Sequence, residues 1–151
     1  MAQQLFLTLS LQARGSGNWD ASREALQTWW RDRIGGEVPV FDNGSGLSRE
    51  ERVSALGLAR LLQFAWGSPT MSELMSSLPL SGLDGTLKRS KSQSIAHLKT
   101  GSLRDVAGIA GYVDAANGKR LILIAVLNHA NAQAARSALD FLVDWTALQK
   151  P

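Results

Sequence analysis

The sequence predicts an α+β domain in which helices cover one small antiparallel sheet and a last helix closes the chain. Three observations carry that reading. Apolar residues recur at helical spacing through the first half of the chain. Three short runs of β-branched and aliphatic residues follow between Ile95 and Asn128. Beyond them, residues 132–148 again show an apolar stripe. At 151 residues the chain has the length of one domain, over 1–151, that buries about 70 % of its unfolded surface.

Residues 1–12 set Met1, Leu5 and Leu9, with Ala2 and Phe6 beside them, at helical spacing, and the two glycines of RGSGN end the run. The apolar pattern starts at Met1 with no capping residue ahead of it, so further sequence is expected upstream. Asp20 is the expected N-cap of a second helix, which runs through Trp29, Trp30 and Ile34 and stops at Gly35 and Gly36. The paired Trp residues are expected as core or interface material. After the extended run EVPVF, Ser48 and Glu51 have the spacing of a capping box, which predicts a helix carrying Leu58, Leu61, Leu62 and Ala65. Ser68 and Pro69 then read as N-cap and first residue of a short helix with Met71, Leu74, Met75 and Leu78. The loop LPLSGLDGT follows.

The predicted strands are Ile95–Lys99, Val106–Ala115 and Lys119–Asn128, and Asn117-Gly118 joins the last two as a hairpin. Gly108 and Gly111 inside the second strand mark a bulge or a close neighbour. The terminal helix, Ala132 to Leu148, carries Ala135, Leu139, Leu142, Val143 and Trp145. In a three-stranded sheet the run LILIAVL lies on an edge. Such an edge is open, paired with a second copy in a homodimer, or covered by a terminal segment.

Composition removes several function classes. Without cysteine there is no disulfide, thiolate metal site or thiol catalysis, and two histidines, His97 and His129, serve metal ligation poorly. Neither a metal nor a cofactor is expected. No apolar run reaches about 18 residues, and Gln3 and Gln4 stand where a signal peptide carries positive charge, so neither a membrane span nor an export signal is expected. Net charge is +3, with the densest basic cluster at Lys88, Arg89 and Lys91. A solvated loop is the favoured reading of that cluster over a polyanion surface, and nucleic-acid binding would rest on pI alone.

The chemistry gathers at HLKTGSL, residues 97–103. On a strand, Lys99 and Gly101 face one way and Thr100 the other. Lys99 supplies a fixed positive charge, and Thr100 and Ser102 offer hydroxyls to a substrate carboxylate. Gly101 lets a ligand approach the backbone, and the Ser102 N–H suits one half of an oxyanion hole. His97 shares the Lys99 face as a rim residue. Serine acyl-transfer sites that use Lys-Thr-Gly pair it with Ser-x-x-Lys and Ser-Asp-Asn. The chain contains no Ser-x-x-Lys, and its one loose Ser-x-Asn, Ser16-Gly17-Asn18, sits in a glycine-rich break between helices. No nucleophile is therefore held beside a base within the chain.

Taken together, NGSGLSR at 43–49, LPLSGLDGTL at 78–87 and LKTGSL at 98–103 resemble the class C low-molecular-mass penicillin-binding proteins, the D-alanyl-D-alanine carboxypeptidase/endopeptidase family. MAQQLFLTL also resembles the family, in the region after its Ser-x-Asn motif. The resemblance covers essentially the whole chain. It implies part of the penicillin-binding/β-lactamase-like transpeptidase fold, its C-terminal part. The Ser-x-x-Lys and Ser-x-Asn motifs, the first sheet strands and the inserted domains would then lie before Met1. By resemblance Lys99, Thr100 and Gly101 match the third active-site motif, and Ser102 the Ser/Thr that follows it. Ser45 and Ser48 match serines of the GSGLSR segment, as turn former and helix cap, and Asp84 and Gly85 match an architectural DGTL loop. Leu98 departs from the small residue usual there. The family acts in the periplasm on peptidoglycan stem peptides ending in D-Ala-D-Ala, through a serine ester that penicillins trap. The expected activity is that of a serine-type carboxypeptidase/endopeptidase, with this chain inactive alone. The alternative is a non-catalytic module that binds peptidoglycan peptides or proteins.

Overall fold

The computed structural model describes residues 1–149. They divide into two compact units between Leu61 and Leu62. The first holds α1 (Ala2–Arg14), α2 (Trp19–Arg33) and the start of α3 (Ala55–Trp66). The second holds the rest of α3, α4 (Met71–Ser77), β1 (Ala96–Leu103), β2 (Val106–Asp114), β3 (Arg120–Asn128) and α5 (Arg136–Ala147). Short 3-10 turns stand at Gly85–Leu87 and Ala132–Ala135. Five helices and one antiparallel sheet make the α+β layout that the apolar periodicities predict.

In the first unit, α1 and α2 close on a buried pair of serines. The Ser22 hydroxyl donates to Ser10 Oγ (2.9 Å), which also accepts from Asn18 N (2.9 Å). Small side chains let the helices approach, and each hydroxyl is satisfied. The cap of α2 is Asn18, not Asp20: its extended backbone places Oδ1 to accept from Asp20 N and Ala21 N. Asp20 lies instead in the first turn, paired with Arg23, where its charge suits the helix dipole. Ser16-Gly17-Asn18 is thus a helix start.

Glu37–Phe41 forms no strand, only a bridge between Val40 and Arg52. That bridge overturns the capping box, because it holds Arg52 extended where the predicted helix would already run. The Ser48 hydroxyl accepts from Glu50 N, two residues on (3.0 Å), in a local turn. Ser54, accepting from Gly57 N (3.1 Å), does the capping of α3. Ser68-Pro69 also misses its assignment: Ser68 Oγ is hydrogen-bonded to Thr70 Oγ1, and the helix begins at Met71.

The strands run in the order β1-β2-β3. Asp105 (φ 65) turns β1 into β2, and a loop ending in Gly118 (φ 80) turns β2 into β3. Gly111 marks a close neighbour and not a bulge, since the ladder runs unbroken past it, Leu98 opposite Gly111. A Cβ there would lie 2.1 Å from the His97 carbonyl oxygen.

One face of the sheet packs on α5 through Ala96, Leu98, Ile109 and Val113 against Leu139, Val143 and Ala147. Trp145 is off this stripe and 52 % exposed, because Thr146 and Ala147 take the buried positions instead. On the opposite face the Tyr112 hydroxyl donates to the Leu62 carbonyl (2.7 Å), and Trp66 packs between Tyr112 and Arg120. Among the described residues no helix is long and apolar enough to cross a membrane.

Candidate functional site

The hydrogen-bonding ladder sorts the backbone of β1 by parity. Ile95, His97, Lys99 and Gly101 turn toward β2, while Ala96 and Leu98 turn outward. There the segment Pro79–Ser81 meets them, Ser81 N donating to Ala96 O (2.9 Å) and Leu98 N to Pro79 O (3.0 Å). Asp84 fixes that segment by accepting from Leu80 N (2.6 Å), so the DGTL loop is architecture for the edge of β1. Thr100 and Ser102 continue the outward series beyond the segment's reach. Among the described residues neither of their N–H groups has a partner.

Side chains divide as the strand period requires. Lys99 is exposed on the His97 face, and its ammonium curls to the edge, donating to the Thr100 carbonyl (2.8 Å). No carboxylate among the described residues pairs with it. Thr100 and Ser102 point toward the α5 side. Thr100 Oγ1 donates to Thr86 Oγ1 (2.7 Å); Ser102 Oγ donates to Gln133 Oε1 (3.2 Å) and accepts from Arg136 Nη2 (2.9 Å). Gln133 also donates to the Leu103 and Val106 carbonyls (2.9 and 2.8 Å), clasping both strands of the β1–β2 hairpin. His97 is half-buried at the rim, and its Nδ1 has no hydrogen-bond partner.

The edge so built has one cation, a glycine without a side chain to obstruct it, and two free backbone donors in a row. A sequence profile of the D-Ala-D-Ala carboxypeptidase 3 (S13) family matches residues 1–149. The chain belongs to that family.

Its relatives are longer. The D-alanyl-D-alanine carboxypeptidase of an Actinomadura species is 28 % identical over 92 % of this chain, which spans 27 % of that protein. Penicillin-binding protein 4 (DacB) of Haemophilus influenzae, solved with a β-lactam, superposes at a TM-score of 0.76 with 21 % identity, over 94 % of this chain and 38 % of its own. A predatory endopeptidase of Bdellovibrio bacteriovorus, solved with an immunity protein, gives 0.63 with 15 % identity, over 95 % and 41 %. Both solved structures share this S13 chain's fold.

Within that fold the motif residues are divided between the two units. Lys99, Thr100, Gly101 and Ser102 form one site on β1. Ser45 and Ser48 belong to the other unit, where each accepts a hydrogen bond from the backbone two residues on (3.1 and 3.0 Å). Leu98 is 1 % exposed in the α5 core, away from the edge. Sequence reasoning missed Gln133 and Arg136, which follow no motif, and the contact of Thr86, which lies in the DGTL loop. They are 14 to 34 residues from their partners, and only the fold brings them to β1.

Proposed function

We propose that this S13 chain supplies the Lys-Thr-Gly wall of a serine-type D-Ala-D-Ala carboxypeptidase/endopeptidase site acting on peptidoglycan stem peptides in the periplasm. One observation carries the reading: the outward N–H groups of Thr100 and Ser102, beside the Lys99 ammonium, on an open strand edge. An extended peptide adds to such an edge by main-chain hydrogen bonds. Lys99 then attracts its terminal carboxylate. The Ser102 N–H donates to the scissile carbonyl oxygen as charge grows on it when a serine attacks. The serine ester forms as the terminal D-Ala leaves with a proton on its amine, and water hydrolyses it. The serine and its base are not among these 151 residues, which contain no Ser-x-x-Lys, so the chain alone binds without turning over.

Two measurements test this. Titration of diacetyl-Lys-D-Ala-D-Ala should move the Thr100 and Ser102 amide resonances saturably, and Lys99→Ala should weaken binding about tenfold. Intact mass after incubation with excess penicillin should show no adduct. Silence of both amides at about 10 mM peptide removes the proposed peptide edge. A stoichiometric adduct on any serine removes the claim that the nucleophile lies elsewhere. If a longer form carrying this chain also binds the peptide and never forms an ester, the chain is a non-catalytic peptide-binding module instead.

A further inference from the structure

We propose that the hollow between residues 37–40 and 52–54 of the first unit is a binding site for a free apolar α-amino acid, held as its zwitterion. The two segments meet in one antiparallel rung, Val40 N donating to Arg52 O (2.9 Å) and Arg52 N to Val40 O (3.1 Å). In that register Val38 and Ser54 would form the next hydrogen-bonded rung. That rung is unmade. The N–H and C=O of Val38 and the N–H of Ser54 have no partner among the described residues, and the Ser54 C=O is taken by Leu58 N (3.1 Å). Where the rung is missing, the segments part around a hollow of about 270 Å³. Small-molecule sites usually hold about 300–1,000 Å³, so this one suits a ligand the size of a single residue.

The hollow carries one charge of each sign, and they do not meet. Glu37 and Arg52 both line it, and among the described residues neither forms an ion pair. Arg60, whose guanidinium lies over Gly36, is not paired with Glu37 either. Arg52 is held from one end: its Nη1 donates to the Arg49 and Glu51 carbonyls, which orients the fork and leaves Nε and Nη2 without a partner among the described residues. The walls between the two charges are aliphatic. Val40 and Val53 contribute to them while remaining 52 % and 46 % exposed, so apolar surface stands uncovered beside the charges. A carboxylate, a guanidinium fork, an apolar wall and one unmade backbone rung together complement an amino acid. Its ammonium takes the Glu37 carboxylate and the Val38 carbonyl, its carboxylate the Arg52 fork and the Ser54 N–H, and its side chain the valines. A ligand with a single charge leaves one of the two groups unanswered, and a bare ion leaves the wall in water.

The probe is valine. Isovalerate lacks its ammonium, isobutylamine its carboxylate and glycine its side chain. In methyl-labelled protein, valine should shift the Val38, Val40 and Val53 methyls saturably in about the millimolar range, and each analogue should bind about tenfold more weakly. Glu37→Gln should weaken valine about tenfold and leave isovalerate unchanged. Because Arg52 also holds two backbone carbonyls, Glu37→Gln, at an exposed side chain with no bond to lose, is the variant that leaves the fold untouched. The tighter-binding enantiomer of valine identifies the source, D for cell-wall peptides and L for ordinary ones, and both support the site. The Thr100 and Ser102 amides should not move, so this site and the peptide edge of β1 stand or fall separately. Equal affinity for valine and either singly charged analogue would overturn the proposal, as would still methyls at about 50 mM valine. So would a valine footprint confined to Thr100 and Ser102.

Discussion

Ser10 and Ser22 are fully buried polar residues, and their cost is offset only while they hold each other. Ser10→Ala leaves the Ser22 hydroxyl and the Asn18 N–H without their acceptor, and should lower unfolding stability by about 1–3 kcal/mol. Adding Ser22→Ala should cost less than the two single losses combined, because one unmade hydrogen bond is counted twice in that sum. Urea unfolding checks both, with the midpoint moving at constant slope. Additive losses would show that the hydroxyls act independently. Gly111 is the second residue on which the fold depends. Its φ is 154, and a Cβ added to it would sit 2.1 Å from the His97 carbonyl oxygen, so β1 and β2 leave no room for a side chain between them. Gly111→Ala should therefore cost at least about 3 kcal/mol, among the largest single-residue losses. The same urea series measures it, and a loss below about 1 kcal/mol would mean that β1 swings aside freely.

Between elements, the tightest polar junction is the one that ties residues 90–94 to α5. Asp144 accepts from the Ser92 and Ser94 hydroxyls (2.7 and 2.8 Å) and from the Gln93 and Ser94 amides (3.0 and 3.1 Å). Burial pushes its carboxyl pKa up, but these four donors outweigh burial and hold it below the ordinary aspartate value. A depressed folded pKa means that the junction's stabilisation is complete above the unfolded aspartate value and disappears as pH falls through the folded one. Hydrogen exchange at Gln93 and Ser94, corrected for its intrinsic pH dependence, should lose protection across that acid window. Asp144→Asn, which cannot ionise, should remove the window. Loss of protection at the same pH in Asp144→Asn would assign the effect to another group. No motif reveals this junction, although Ser90, Ser92 and Ser94 alternate and Asp140 and Asp144 are one helical turn apart. The second and third strands are legible because their apolar runs and the Asn117-Gly118 turn are local signals; the first, expected to end at Lys99, runs on to Leu103, because pairing with β2 holds the polar, glycine-containing stretch Thr100–Ser102 extended. Helix starts at 19, 55 and 71 are misplaced by sequence reasoning because Ser, Asp and Asn cluster in these loops, and tertiary bridges such as Val40–Arg52 choose among them. In the candidate site, the motif names the β1 residues but not Gln133 or Arg136, whose role depends on where α5 docks.

At the scale of the whole molecule, β3 leaves the sheet unfinished. Its odd-numbered residues bond to β2, so Ile122, Ile124 and Val126 present their N–H and C=O groups outward, with no partner among the described residues. Val126 is 47 % exposed. A row of free backbone groups on an apolar strand is a template for pairing, and a second copy is the partner always present in a solution of the pure chain. We propose that the chain pairs through β3 in an antiparallel homodimer, the symmetric solution for two identical edges. Light scattering should then give a mass that rises toward twice the chain mass with concentration. Val126→Pro is the discriminating variant. Its N–H points away from β2, so proline removes no bond within the sheet while deleting an outward donor and placing a ring on the edge. It should be monomeric at every concentration, with its methyl spectrum in the α5 core unchanged. Val126→Lys, which keeps the donor and adds a charge, should be monomeric too. A wild-type chain that stays monomeric would remove the proposed dimer, and a dimer that persists in Val126→Pro would place self-association away from this edge.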